Sequence, residues 1–136
     1  MVEFPYRKEK SDLFGETYRP IAAVHFVVDD ETEFVQFMYV DSGADVTLVP
    51  KSVGELLGFS VLESEIKQIY SVSRHSVPVI IKGVKLKIGG YEFEAKVAWC
   101  LNENVPLLLG RLDVFDKFLV TFDEANRKTV FEERKS

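Results

Sequence analysis

A single cysteine, Cys100, stands in the whole chain, so no disulfide can form within it. His25 and His75 are the only histidines, and with Cys100 they supply too few ligands for a tetrahedral Cys/His zinc site. No metal and no organic cofactor is expected. Long apolar runs are missing too: nothing approaches the roughly 18 residues of a spanning helix, and Met1 to Lys10 carries no apolar stretch of signal-peptide length. The expected setting is a reducing cytoplasm, with no membrane partner. Positive charge is in deficit, with 17 Lys and Arg against 22 Asp and Glu and a formal net charge of −5. Phosphate contacts are made mostly by Lys and Arg, so nucleic acid is not an expected partner. Gln and Asn are also sparse, as in proteins that avoid heat-labile amides.

What is present is ordinary globular material. The chain has 136 residues, 46% hydrophobic and 29% charged, enough for one core and one domain. Residues 1–19 are mixed polar and aromatic without a clear period and read as an N-terminal extension ahead of Pro20; residues 20–136 read as a single domain. Ile21 to Val28 and Glu33 to Val40 are rich in β-branched and aromatic residues and flank the acidic stretch Asp29-Asp30-Glu31-Thr32, which predicts a hairpin. Pro50 to Gly58 has the Pro start and Gly stop of a short helix. Val84 to Ile88 and Tyr91 to Val97 alternate apolar with charged around Gly89-Gly90, the clearest hairpin in the chain, with Lys85 and Lys87 opposite Glu92 and Glu94. Leu112, Phe115 and Phe118 fall three apart, as on one face of a short helix, and Phe118 to Phe122 with Lys128 to Phe131 form a last hairpin. Many short strands with one or two helical turns predict a mostly all-β fold, a closed or nearly closed β-barrel.

Two stretches carry chemistry. In the first, the apolar strand Phe37-Met38-Tyr39-Val40 runs into Asp41-Ser42-Gly43-Ala44-Asp45, where small residues let the backbone turn sharply and approach another group closely. Asp41 is therefore held at the end of a rigid strand and partly desolvated. A carboxylate so placed needs a hydrogen bond or a partner, and a turn in which Asp41 accepts bonds from the next backbone N–H groups satisfies it as well as a catalytic role does. The second stretch is Val105-Pro106-Leu107-Leu108-Leu109-Gly110-Arg111.

Together, Asp41-Ser42-Gly43-Ala44-Asp45 and Leu107-Leu108-Leu109-Gly110-Arg111 resemble the two halves of the retropepsin-like aspartic protease signature, across about residues 20–132. The resemblance implies an acid-protease barrel in which Asp41 is the catalytic aspartate. It implies that Ser42 bonds across to the other half-site, that Gly43 lets substrate backbone come close, and that Ala44 lines the floor. Asp45 and Arg111, next to Gly110, would pair beneath the site, with Asp45 also meeting substrate backbone. The planar fork of Arg suits that pairing. For Ser42 and Arg111 the plain alternatives are a turn hydroxyl and a solvated cation.

One aspartate cannot hydrolyse a peptide in this way. One carboxylate must take a proton from water while another, protonated, hydrogen-bonds the carbonyl oxygen as it gains charge. Asp-Ser-Gly occurs once, and Asp113, Asp116 and Asp123 are followed by Val, Lys and Glu. The second carboxylate would then be Asp41 of another copy, which implies an isologous homodimer acting on extended peptide or unfolded protein. The apolar stretches near both termini are candidates for its interface.

The region matching the family's flap is Ile69 to Val79, with Tyr70, Ser71, Val72, Ser73, Arg74 and His75 toward its tip. The family's flap is usually glycine-rich at this point, and here there is no glycine, which implies a stiffer, more polar tip. Tyr70 reads as a core or surface aromatic before it reads as a residue reaching the site, and His75 as an exposed loop residue. Cys100, next to Trp99, reads as a buried small hydrophobe, and neither histidine is placed to activate it as a nucleophile. The expected function is an aspartic endopeptidase. The alternatives are a non-catalytic dimer of the same fold that holds peptide or a partner protein, and a plain β-barrel interaction module.

Overall fold

The computed structural model describes residues 1–70 and 73–135. The body is a barrel built from Ile21–Val27 (β4), Glu33–Val40 (β5), Leu108–Leu109 (β10), Thr47–Val49 (β6), Tyr91–Cys100 (β9) and Ser76–Ile88 (β8), hydrogen-bonded in that order. It closes where β4 returns to β8, His25 to Val27 lying antiparallel to Lys85 to Lys87. Lys67–Tyr70 (β7) hangs from the outer part of β8 as a hairpin arm. The barrel follows from the alternation: along β4, Ala22, Val24 and Phe26 are buried, and along β9, Phe93, Ala95, Val97 and Trp99 face the same core. Each buried Val, Leu, Ile or Phe side chain contributes about 1.5–3 kcal/mol, which is why the period fixes which face turns inward.

The β4–β5 hairpin forms in the expected place, Ile21 opposite Tyr39 and Val27 opposite Glu33. So does β8–β9, where Gly89 (φ 57°) and Gly90 (φ 86°) make the turn, and Lys85 faces Glu94 and Lys87 faces Glu92. The short helix is Lys51–Leu56 (α1), with Pro50 at its N-cap and Gly58 left-handed after it. Gly54 within it is there for packing. A β-carbon would lie 2.1 Å from Trp99 Nε1, the nitrogen that donates to Lys51 O at 3.0 Å and ties α1 to β9. A single 3₁₀ turn, Glu63–Glu65, follows.

The expected helix at Leu112 to Phe118 is not there. The segment is a run of turns because Asp113 takes a left-handed φ of 63°, its carboxylate accepting the Lys96 N–H of β9 at 2.9 Å. The side chains that go inward are Val114 and Phe118, whereas Leu112 is 46% exposed. The last hairpin, Phe118–Asp123 (β11) with Lys128–Glu133 (β12), forms as expected.

Residues ahead of Pro20 are ordered strands. Val2–Pro5 (β1) pairs antiparallel with β12, giving a three-stranded sheet in the order β1-β12-β11. Arg7–Ser11 (β2) and Gly15–Arg19 (β3) form a separate two-stranded hairpin, which we term the arm. Cys100 is buried, and burial pushes its thiol pKa up. It lies in a second small apolar cluster with Val79 and Ala98, on the face of β9 opposite Trp99.

Candidate active site

Asp41 sits where β5 ends against β10. The two strands run parallel, with Leu108 beside Tyr39 and Leu109 beside Val40, and the Asp41 N–H donates to Leu109 O at 3.0 Å. Beyond it the chain reverses: the Gly43 N–H donates to Asp41 Oδ1 at 2.9 Å and the Ala44 N–H to Asp41 O at 3.1 Å. The Asx turn that the residues allow is therefore present. It orients one carboxylate oxygen while Asp41 remains only half-buried and open to a ligand.

The second stretch closes over the back of this loop. The Arg111 N–H donates to Ala44 O and the Leu112 N–H to Asp45 O, both at 2.9 Å. The Gly110 N–H donates to Thr47 Oγ1 at 3.0 Å, and Thr47 is wholly buried. A β-carbon on Gly110 would stand 2.4 Å from the Val46 carbonyl carbon, so no other residue lets the two strands meet this closely. Arg111 then reaches Asp45 through Nη2 and Oδ1, forming an ion pair at the surface. The two motifs, read as separate stretches of sequence, are thus stitched by four backbone donors and one ion pair.

In front of the loop lies a cleft of about 660 Å³ lined by Asp41, Ala44, Asp45, Leu48, Ile69 and Tyr70, among others. Its floor is the second apolar cluster, to which Val46, Leu48 and Ile69 belong. Tyr70, at the end of β7, is 68% exposed and stands at the rim of the cleft rather than in the core. Ser42 is exposed, and its hydroxyl makes no hydrogen bond among the described residues. Of the flap residues, Ser71 and Val72 lie outside the described residues. Ser73, Arg74 and His75 are exposed between β7 and β8, and Arg74 takes a left-handed φ of 65°.

On its other side Asp41 borders a hollow of about 370 Å³ shared with Arg19, Tyr39, Pro106 and Leu108. Here the structure adds residues that the sequence did not suggest. The Tyr39 hydroxyl donates to Glu9 Oε2 at 2.7 Å, Arg7 pairs with Glu9 at 2.9 Å, and the Arg7 and Arg19 guanidinium carbons lie 5.2 and 5.8 Å from the centre of the Tyr39 ring. The hydrogen bond from Tyr39, followed by the nearby Arg side chains, holds the Glu9 carboxyl below its ordinary value. The arm is thereby fastened two residues from Asp41. Among the described residues no cluster of His, Cys, Asp and Glu is arranged to hold a metal ion.

The structure thus places a half-buried aspartate on a glycine turn, locked from behind by the Gly-Arg segment and facing a cleft. A family model described as aspartyl protease matches residues 24–111, more than half of the chain and all of both motifs. The chain belongs to the aspartyl protease family. Among solved structures it is similar to the EIAV protease complexed with the inhibitor HBY-793, at 19% sequence identity and a TM-score of 0.55. That match covers 72% of this chain and 86% of that one. The likeness shows that the fold is that of a retropepsin-like protease. No curated protein matches the chain. No helix among the described residues is long and apolar enough to cross a membrane.

Proposed function

We propose that this protein is an aspartic endopeptidase whose catalytic centre is completed by a second copy of itself. The observation that carries the reading is a shortage of carboxylates. Besides Asp41, the only carboxylate lining the cleft among the described residues is Asp45, and Arg111 holds it. An aspartate engaged by a guanidinium is committed to that partner rather than to Asp41. A two-fold axis beside Asp41 supplies the missing group as the same residue of the partner copy.

In that arrangement two carboxylates about 3 Å apart cannot both be charged, so the pair holds one proton. The ionised member takes a proton from a water molecule as it attacks the peptide carbonyl. The protonated member donates to the carbonyl oxygen as charge builds there. Gly43 N–H already fixes one oxygen of Asp41, which orients the carboxylate before substrate arrives. Ser42, an exposed hydroxyl next to Asp41, would bond across the axis, and Asp45 with the β7–β8 hairpin would bind extended peptide as an added strand. No cofactor takes part, and the lone buried thiol suits a reducing cytoplasm.

The test is cleavage of unfolded polypeptide between about pH 3 and 7 by wild type and by Asp41→Asn. Loss of cleavage in a variant that still dimerises supports the protease. A second reading, a non-catalytic dimer that holds peptide, is favoured by one observation: a flap tip with an arginine in the left-handed region where glycine is the easier choice. Peptide binding without cleavage by wild type at every pH would establish it.

A further inference from the structure

The arm ends in an apolar pair with no contact that explains it. Leu13 is 85% exposed and Phe14 80% exposed, and apart from Met1 no large hydrophobic side chain among the described residues is as exposed. They are presented in a fixed shape: the Phe14 N–H donates to Ser11 Oγ at 3.2 Å, the Glu16 N–H donates to Phe14 O at 2.8 Å, and Gly15 takes φ 75°. The base of the arm is anchored on two sides, through Glu9 to Tyr39 and through Arg127, whose guanidinium carbon stands 3.7 Å from the centre of the Tyr18 ring. An anchored hairpin holding two bare apolar side chains at its tip has the form of a binding anchor, since little flexibility is lost when it docks.

The matching surface borders the Asp41 loop at Asp45. An open hollow of about 440 Å³ is lined by Asp45, Arg111, Leu112, Asp113, Phe115 and Asp116. Its floor is apolar, with Leu112 46% exposed and Phe115 partly buried, and its rim carries three carboxylates against one guanidinium. The arm is opposite in sign, with four cations (Arg7, Lys8, Lys10, Arg19) against three anions, and Lys10 below the tip makes no ion pair among the described residues. The arm adjoins the Asp41 loop through Arg19 and the hollow adjoins it through Asp45, so both lie beside the residue at which the proposed two-fold axis passes.

We infer that the β2–β3 arm is an exchanged dimer clasp: Leu13 and Phe14 of each copy seat on Leu112 and Phe115 of the other, with Lys10 facing the carboxylates of the rim. This rests on the dimer proposed above. It makes assembly of the catalytic pair depend on a segment outside the barrel.

Two measurements test it. In sedimentation equilibrium, Phe14→Ser raises the dimer dissociation constant by roughly tenfold or more, as loss of an interface anchor does. At protein concentrations far above that constant it cleaves as wild type does. Mixing Phe14→Cys chains with Leu112→Cys chains under mild oxidation yields a disulfide-linked dimer that neither variant forms alone, because Cys100 is buried. An unchanged dissociation constant overturns the clasp, as does absence of the mixed disulfide. Reduced cleavage with unchanged assembly also overturns it and makes the tip a substrate contact. If wild type dimerises and cleaves through Asp41 while the arm variants assemble normally, only the clasp fails. A wild type that stays monomeric ends both readings.

Discussion

The backbone N–H of Gly110 donates to the hydroxyl of Thr47 at 3.0 Å, in a place that water does not reach. This bond joins the strand that follows the Asp41 loop to the strand that carries Arg111. Thr47→Val keeps the shape and leaves the Gly110 donor unsatisfied, so it should cost about 1–3 kcal/mol of stability in denaturant unfolding. Thr47→Ser should restore most of it. Equal stability of the Val variant would show that the bond contributes nothing.

In the proposed mechanism, Asp41→Asn removes the group that shares the proton. Cleavage should fall by roughly 10²- to 10⁴-fold or more, with secondary structure retained in circular dichroism. The wild-type rate against pH should be bell-shaped with an acidic optimum, because activity needs the pair to hold one proton. A rate independent of pH would contradict a carboxylate pair.

Arg111→Lys tests geometry rather than charge. The fork that holds Asp45 is lost while the positive charge stays, and because the pair is exposed the melting temperature should barely move. If Asp45 meets substrate backbone as proposed, cleavage should drop by roughly tenfold to a hundredfold as Asp45 loses its fixed position. An unchanged kcat/KM would leave the pair a surface decoration.

Glu9 gives the attachment of the arm a pH dependence. Its carboxyl is held below the ordinary 4.5 by the hydrogen bond from Tyr39 and by the neighbouring Arg side chains. The stabilisation is complete above that ordinary value and is lost as pH falls through the lower folded value. The protection factors of amides in residues 7–19, taken relative to the intrinsic exchange rate at each pH, should therefore be lower near pH 3 than at pH 6, and low at both in Glu9→Gln. Equal protection at the two pH values would rule this coupling out.

Gly54→Ala places a methyl group 2.1 Å from the indole nitrogen of Trp99, a buried ring whose nitrogen is tied to Lys51 O. The cost should be about 1–3 kcal/mol, with a change in Trp99 fluorescence reporting the displaced ring. A neutral substitution would mean that α1 shifts freely against β9.

The elements legible in the sequence are those in which a local rule and the tertiary fold agree. Alternation around Gly89-Gly90 specified both strands and their register, and Asp41-Ser42-Gly43 with Gly110-Arg111 marked two stretches that the fold brings together. Other features depend on groups far apart in the chain. Arg-Lys-Glu-Lys-Ser and Gly-Glu-Thr-Tyr-Arg have little strand propensity, and the arm exists because ion pairs cross it and Tyr39, 30 residues beyond Glu9, receives it. At Leu112 to Phe118 the spacing suggests a helix, but Asp113 bonds to Lys96 in another strand and turns Val114 inward instead. Tyr70 is ambiguous as a residue type, and only the course of β7 brings it to the cleft.

The β1-β12-β11 sheet carries a further implication for handling the molecule. With β12 sandwiched between β1 and β11, both of its lengthwise margins are satisfied by its own chain. Proteolytic clipping after Pro5 would strip one margin bare and leave a ready template for strands of neighbouring molecules, so that nicked samples should scatter light on standing where intact ones stay clear.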